Sequence, residues 1–175
     1  STTLIYLLRK AFFGVIPFPI LHIDTTYKFE EIYEFRDKYA KKWNLNLIIV
    51  KNEDALQQKI YPKIGKELCC NALKTEALKK AIKNYGFKAL FLGIRRDEHS
   101  IRAKERFFSP RDTNFKWNYL NQPLEMWNQF YKLKEEDKSH LRIHPLLSWR
   151  EIDIWRYIKK EKIPVVKLYF AKNKK

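Results

Sequence analysis

A chain of 175 residues that is 45% hydrophobic is long and apolar enough for a packed domain, which excludes a disordered or collagen-like chain. Its 36 Lys and Arg against 20 Asp and Glu leave a net charge of +16, which favours nucleotides, nucleic acids or acidic partners and says nothing of fold. No apolar run reaches the length of a membrane-crossing helix, and the run at 4–8 is too short and lacks a cleavage pattern for a signal peptide, so a cytoplasmic protein without a membrane partner is expected.

Ser1, Thr2 and Thr3 offer capping oxygens to a helix whose apolar residues Leu4, Leu7, Leu8, Ala11 and Phe12 keep helical spacing, and Gly14 and Pro17 stop it. A chain that opens on a capping residue with no strand before it reads as truncated. Residues 19–24 form a short buried strand, with Asp24 where a ligand contact of an open α/β sheet sits and Thr25-Thr26 as its exit. A helix over 28–43 follows, its glutamates near the start and its lysines near the end, as the helix dipole favours. Residues 45–50 read as a second strand. The segment 52–68, with Pro62 and Gly65 but little period, reads as irregular, in the place of a lid, with one short helix around 55–60. Residues 70–82 carry apolar positions 73, 77, 78, 81 and 82 of a helix that Gly86 ends.

A strand over 89–93 then delivers the stretch around which the chain is organised. Leu90-Phe91-Leu92-Gly93 opens onto Arg95, Arg96, Arg102, Lys104 and Arg106, interleaved with Asp97, Glu98 and Glu105. Guanidinium forks match phosphate and sulfate geometry, and the exit of a buried parallel strand is where such ligands bind. The competing reading is a solvated, self-neutralising charge run. Residues 107–112 are assigned no element, and the long Trp- and Asn-rich passage from there to Ser139 reads mostly as loop. It offers Trp117, Tyr119, Trp127, Phe130 and Tyr131 either as a partner surface or as a cluster tucked under the loop. Leu141-Arg142-Ile143-His144-Pro145 reads as a short edge strand, because proline cannot donate to a ladder. Ser148-x-x-Glu151 is a capping box for a helix bearing Ile152, Ile154, Trp155 and Ile158. The alternation of strand and helix predicts an α/β fold, a parallel twisted sheet with helices on both faces and strands near 20–24, 46–51 and 88–93. The adjacent Cys69-Cys70 suit a structural disulfide poorly and form half of a metal or cluster site.

Five segments, in order and at matching spacing, resemble the small subunit of bacterial sulfate adenylyltransferase: Leu21-His22-Ile23-Asp24-Thr25, Lys74-Thr75-Glu76-Ala77-Leu78, Gly93-Ile94-Arg95-Arg96-Asp97-Glu98, Arg102-Ala103-Lys104-Glu105-Arg106 and His144-Pro145-Leu146-Leu147-Ser148-Trp149. Arg36-Asp37 and Leu168-Tyr169-Phe170-Ala171 extend the resemblance over nearly the whole chain. It implies an adenine-nucleotide α-hydrolase-like (HUP-type) fold, close to the phosphoadenylyl-sulfate reductases. The chain, 1–175, would be a single nucleotide-binding domain without the N-terminal strand, the phosphate loop and a C-terminal tail. The implied reaction transfers the adenylyl group of ATP, with Mg2+, to sulfate in sulfate assimilation, giving adenylyl sulfate and pyrophosphate, alongside a GTPase large subunit.

By position, Ser1 aligns with the last serine of the family's Ser-Gly-Gly-Lys-Asp-Ser pyrophosphate loop. Asp24 and Thr25 fall near the adenosine, Lys74 beside the nucleotide pocket, and Gly93, Arg95, Arg96 and Asp97 around the ribose-phosphate and sulfate. Arg102, Lys104 and Arg106 complete the anion clamp, while His22 and His144 are left as core or supporting residues. Cys69-Cys70 instead resembles the paired cysteines of iron–sulfur adenylyl-sulfate reductases. A [4Fe-4S] cluster there would need a further Cys-x-x-Cys beyond Lys175, so a reductase releasing sulfite ranks second. A non-catalytic nucleic-acid-binding module ranks last, because it rests on net charge alone and the aromatics fall on apolar faces.

Overall fold

In the computed structural model, which describes residues 2–126, 129–130 and 138–171, the apolar runs become strands of separate small sheets. The chain divides into two units, Ser1–Leu7 with Phe87–Pro164 and Leu8–Gly86 with Val165–Lys175. Helix α1 (Thr2–Ala11) contributes residues to both.

In the unit built on Leu8–Gly86, β1 (Ile20–Ile23) and β2 (Leu47–Val50) pair in parallel, with Ile20 opposite Leu47 and Ile23 opposite Val50. The Asp24 N–H extends this ladder to the Val50 carbonyl at 2.8 Å. Helix α2 (Glu30–Lys42) connects them, with Glu30 and Glu31 in its first turn, Lys41 and Lys42 in its last, and the rings of Phe35, Tyr39 and Trp43 stacked one turn apart at 4.5 and 5.1 Å.

The segment expected to be irregular is more ordered than its sequence period suggested. Helix α3 (Glu53–Gln57) replaces the helix expected around 55–60, a 3-10 turn spans Pro62–Ile64, and α4 (Lys66–Cys70) runs through a π-helical stretch at Asn71–Glu76 into α5 (Ala77–Tyr85). The helix expected over 70–82 is present, begins earlier, at Lys66, and carries a wider π turn in its expected first part. Buried Asn52 donates from Nδ2 to the Ala72 carbonyl in that stretch at 2.9 Å and accepts Lys80 Nζ at 3.0 Å. Ala55, Cys69 and Leu73 form a core cluster beneath, and Gly86, at φ 65°, closes α5 in the left-handed region that a side chain would strain.

In the unit built on Phe87–Pro164, β3 (Ala89–Phe91) runs parallel to β7 (Lys138–Ile143), and β7 pairs antiparallel with β4 (Phe108–Asp112). Strand β7 is therefore central, correcting the edge-strand expectation for 141–145. Pro145 lies in the turn beyond it and removes no ladder bond. Strand β4 is formed by residues to which the sequence pattern assigns no element. Ser109-Pro110-Arg111-Asp112 has the composition of a turn, yet Pro110 is tolerated because β4 is an edge strand. A two-residue pair, β5 (Glu125–Met126) with β6 (Gln129–Phe130), follows, and the Glu125 carboxylate accepts the N–H groups of Phe107 and Phe108 at 2.9 and 2.8 Å.

Helix α6 (Glu151–Glu161) starts two residues later than the Ser148 box implies. Arg150 is its N-cap residue, its N–H bonding Asp153 Oδ2 at 3.0 Å, while Ser148 stays in the preceding turn. The buried apolar residues of this unit include Leu4, Leu146, Leu147 and Ile163. Among the described residues no helix is long and apolar enough to cross a membrane.

Leu147 is 0% exposed and Leu73 1% exposed, so truncating either leaves a cavity that surrounding backbone fills only in part. Leu147→Ala and Leu73→Ala are each expected to lower unfolding free energy by about 2–5 kcal/mol in a urea titration. A loss below about 1 kcal/mol would show that the site collapses onto the gap.

Candidate functional site

Two groups of polar side chains stand at the carboxyl ends of parallel strands, one in each unit. At the end of β1, buried Asp24 accepts the Thr26 N–H at 2.8 Å and the Tyr33 hydroxyl at 2.9 Å, with Lys51 Nζ 3.8 Å away. Burial opposes its charge, but these donors outweigh burial and hold its carboxyl below the ordinary carboxylate value. Thr25 beside it is also buried.

The Lys28 ammonium donates to the Ile23 carbonyl at 2.8 Å and lies 3.0 Å from His22 Nε2. Burial first, then the Lys28 and Arg36 charges, push His22 down to about 4, so it is neutral at pH 7 and accepts from Lys28. Burial also lowers Lys28, and the neighbouring charges of Lys74 and Arg36 add to that effect. Arg36 grips Asp37 through two hydrogen bonds at 2.6 and 3.0 Å and lies over the Tyr33 ring, with its Nη1 buried and unpartnered. Lys74 is exposed on the π-helical stretch, a geometry frequent at functional sites. Lys28, His22, Arg36 and Tyr33 were not singled out as site residues from sequence.

At the end of β3 the arginines sort into two classes. Arg95 is engaged by carboxylates, with Asp97 at 2.9 Å, Glu98 at 3.3 Å and Glu151 at 3.8 Å. Asp97 also accepts the Glu151 N–H at 2.7 Å, so its charge sits on the N-terminus of α6. Burial opposes that charge, but the Glu151 N–H and the Arg95 guanidinium hold the Asp97 carboxyl below its ordinary value. Arg102 faces Glu98 at 3.3 Å. Arg96, Lys104 and Arg106, by contrast, have no carboxylate partner among the described residues. Arg96 donates to the Glu105 carbonyl at 3.3 Å and lies over Phe107, Lys104 lies over the Tyr119 ring at 4.8 Å, and Arg106 Nε is buried without a hydrogen bond.

Gly93 needs no special backbone conformation, and an added Cβ would meet Leu4 and Leu146 at ordinary contact distances. Trp117 bonds Gln122 Oε1 at 3.2 Å and stacks under Arg111, which favours a local cluster for it and for Tyr119. Ser1, Trp127 and Tyr131 lie outside the described residues, and so does the Phe130 side chain.

Beneath these cations is a buried polar frame. Glu105 accepts Arg111 Nη2 at 2.8 Å, and Arg111 Nη1 donates to Ser109 Oγ at 2.7 Å. His144 Nδ1 donates to the Arg106 carbonyl at 2.7 Å and stands 3.9 Å from Glu105 Oε2. Glu105, Ser109, Arg111, His140 and His144 are all buried. This frame was not read from the sequence, although His140-x-Arg142-x-His144 places three polar residues on one face of a strand and is a signal that could have found it.

Cys69 packs in the Ala55–Leu73 core and Cys70 is half-buried, both as free thiols. No group of three or more His, Cys, Asp or Glu among the described residues is placed to hold a metal ion. The chain's two cysteines supply two of the four thiolates that a [4Fe-4S] cluster takes, so a cluster does not fit the residues present.

The sequence matches the phosphoadenosine phosphosulfate reductase domain over residues 1–174. It is 46% identical, over 99% of its length, to sulfate adenylyltransferase subunit 2 of Psychromonas ingrahamii, and it spans 58% of that relative. In fold it is similar to the phosphoadenylyl-sulfate reductase of Candida auris in a phosphate complex, at a TM-score of 0.62 and 19% identity over 96% of this chain and 71% of that one. It is also similar to the FMN adenylyltransferase of Candida glabrata with FAD and pyrophosphate, at a TM-score of 0.59 and 17% identity over 94% of this chain and 45% of that one. Both structures are of the HUP type, in agreement with the α/β fold expected from the sequence.

His22 and His140 are both held near 4 by burial and neighbouring cations, against 6.5 in the unfolded chain. Because the folded values are depressed, the stability tied to the neutral rings is present above pH 6.5 and is lost as pH falls towards 4. Near pH 5, unfolding is expected to take up about two protons at these residues. Urea midpoints measured from pH 7.5 to 4.5 should fall accordingly, and His22→Asn should flatten that fall by about half. An unchanged slope in the variant would mean that His22 titrates normally.

Proposed function

The chain belongs to the phosphoadenosine phosphosulfate reductase domain family, and on that premise we propose that the protein transfers the adenylyl group of ATP to sulfate. The observation that carries this reading is the set of cations after β3, where Arg96, Lys104 and Arg106 lack carboxylate partners among the described residues at the exit of a parallel strand. The near-half identity to sulfate adenylyltransferase subunit 2 supports it.

In this reaction a sulfate oxygen attacks the α-phosphorus of ATP, a new P–O bond joins sulfate to AMP, and the bond to pyrophosphate breaks. Sulfate is fully ionised at neutral pH, so no proton has to be removed. The barrier is dominated by bringing two polyanions together, and fixed guanidinium groups lower it by positioning and by offsetting charge on the phosphoryl oxygens. Arg96, Arg102, Lys104 and Arg106 take that role, and Arg95 with Asp97 holds the loop against α6. Asp24 and Thr25 are assigned to the adenosine, Lys74 to the nucleotide's phosphates, and the Gly93 backbone to the ribose-phosphate. Mg2+ would arrive with ATP, held largely by phosphate oxygens and water. A relative named as subunit 2 supports a large-subunit partner, which we assign as a GTPase.

The adjacent cysteines favour a second reading, thiol-dependent reduction of adenylyl sulfate to sulfite. Full-length protein should release pyrophosphate only when ATP and sulfate are both present, faster with the partner and GTP, and should release no sulfite from adenylyl sulfate with a thiol donor. Sulfite release without pyrophosphate release would replace the first reading by the second. Arg96→Ala is expected to lower sulfate-dependent kcat/KM by about 10- to 100-fold, the effect of one lost charge-assisted hydrogen bond. Its melting temperature should stay close to wild type. A variant that unfolds would make Arg96 a structural residue.

A further inference from the structure

Arg142 stands on β7 directly opposite Ser109 of β4, on the same face as His140 and His144. It is partly buried, yet no carboxylate of the described residues lies within ion-pair distance of it. Among the described residues its guanidinium makes one hydrogen bond, a long one, from Nε to His140 Nε2 at 3.4 Å. The neighbouring guanidinium is differently placed. Arg111 spends its nitrogens on Glu105, Ser109 and the Pro110 carbonyl.

Arginines this far from bulk water are ordinarily paired, because an uncompensated buried charge destabilises the fold. Glu105 gives its Oε1 to Arg111, and its Oε2, buried without a hydrogen bond, forms no ion pair with Arg142. Burial first, then the charges of Arg111 and Arg102, bring Arg142 down to about 10 against the opposing pull of the Glu105 carboxylate, so it remains a cation at neutral pH. Arg102 is itself near, half-exposed and held only by Glu98 at 3.3 Å.

We propose that Arg142 is a further anion-contacting residue which, with Arg102, receives a tetrahedral, doubly charged oxyanion of the sulfate or phosphate class. The inference rests on the adenylyl-transfer reading, in which sulfate and pyrophosphate are the two candidate oxyanions. The Glu105–Arg111 pair and His144 form the frame that holds the receptor open. The uncharged Ser109 stands opposite Arg142 and the neutral His140 on the same face, while the Arg111 charge of the frame is paired with Glu105.

The test uses full-length protein with its nucleotide, in wild type, Arg142→Gln and Arg142→Lys. In anion-free buffer Arg142→Gln should melt no lower than wild type, because it removes an unpaired charge, whereas loss of a purely structural arginine would lower the melting temperature. The same variant should raise the KM for sulfate, or for pyrophosphate in the reverse direction, by about tenfold or more with little change in the KM for ATP. The anion that shows the effect is the occupant. Arg142→Lys, which keeps the charge and loses the fork, should fall between the two, and it decides the matter if Arg142→Gln does not fold.

Unchanged KM values for both anions in a folded variant would overturn the proposal and leave the adenylyl-transfer reading standing. Should wild type show no turnover, that reading fails, and the rise in melting temperature on adding sulfate or pyrophosphate decides the proposal alone. A rise lost in the variant supports the receptor, and a rise retained overturns it.

Discussion

The site after β3 depends on the buried ion pair between Glu105 and Arg111, 2.8 Å apart. Two charges removed from water destabilise a fold unless their remaining hydrogen-bonding capacity is met. Here Arg111 is met by Ser109 and the Pro110 carbonyl, and its guanidinium face rests on Trp117. Burial lowers the Arg111 pKa, but Glu105 restores the charge. The pair therefore works as a rigid post. The Glu105 carbonyl carries Arg96, and His144 fixes the adjacent Arg106 carbonyl. The loop that bears the candidate anion ligands is tied to the sheet below it at consecutive residues.

That arrangement separates the arginines by task. Arg95 and Arg111 are consumed by carboxylates and hold structure, whereas Arg96, Arg106 and Arg142 form no ion pair among the described residues. A protein selected only for stability would pair or remove them. Concentrating unbalanced guanidiniums beside a rigid buried frame makes sense where an anion arrives as substrate, since its binding then supplies the missing counter-charge at a preorganised position. The same tension marks the Asp24 group of the other unit, where Lys28, Arg36 and Lys51 surround one carboxylate and His22 is kept neutral.

Much of the fold was legible because strong apolar periods dominate it: α1, β1, α2, β2 and β3 fall where those periods place them. The failures have local causes. Strand β4 has no strand signal in the sequence, because Pro110 and Asp112 carry the chemistry of a turn and only the edge position excuses them. Strand β7 was read as an edge because Pro145 was counted as part of it. The helix expected from residue 70 begins earlier, at Lys66, behind the breakers Pro62 and Gly65, and Asp153 rather than Glu151 closes the capping box. At the site, the cations of 95–106 were visible in the sequence, but their division into paired and unpaired groups was not. That division is set by Glu105, Glu151 and Arg111, residues brought together only by the fold. Arg142 was hidden for the same reason, as one polar residue of a strand whose neighbours across the sheet the sequence cannot supply.

The most direct measurement is amide hydrogen exchange across residues 96–108 in wild type and in the double variant Glu105→Met/Arg111→Met. Replacing both charges with apolar groups removes the post without stranding either ion, so the fold should persist. The account requires faster exchange at Arg102, Glu105 and Phe107, with β1 and β2 unchanged. Wild-type exchange rates in that loop would contradict it.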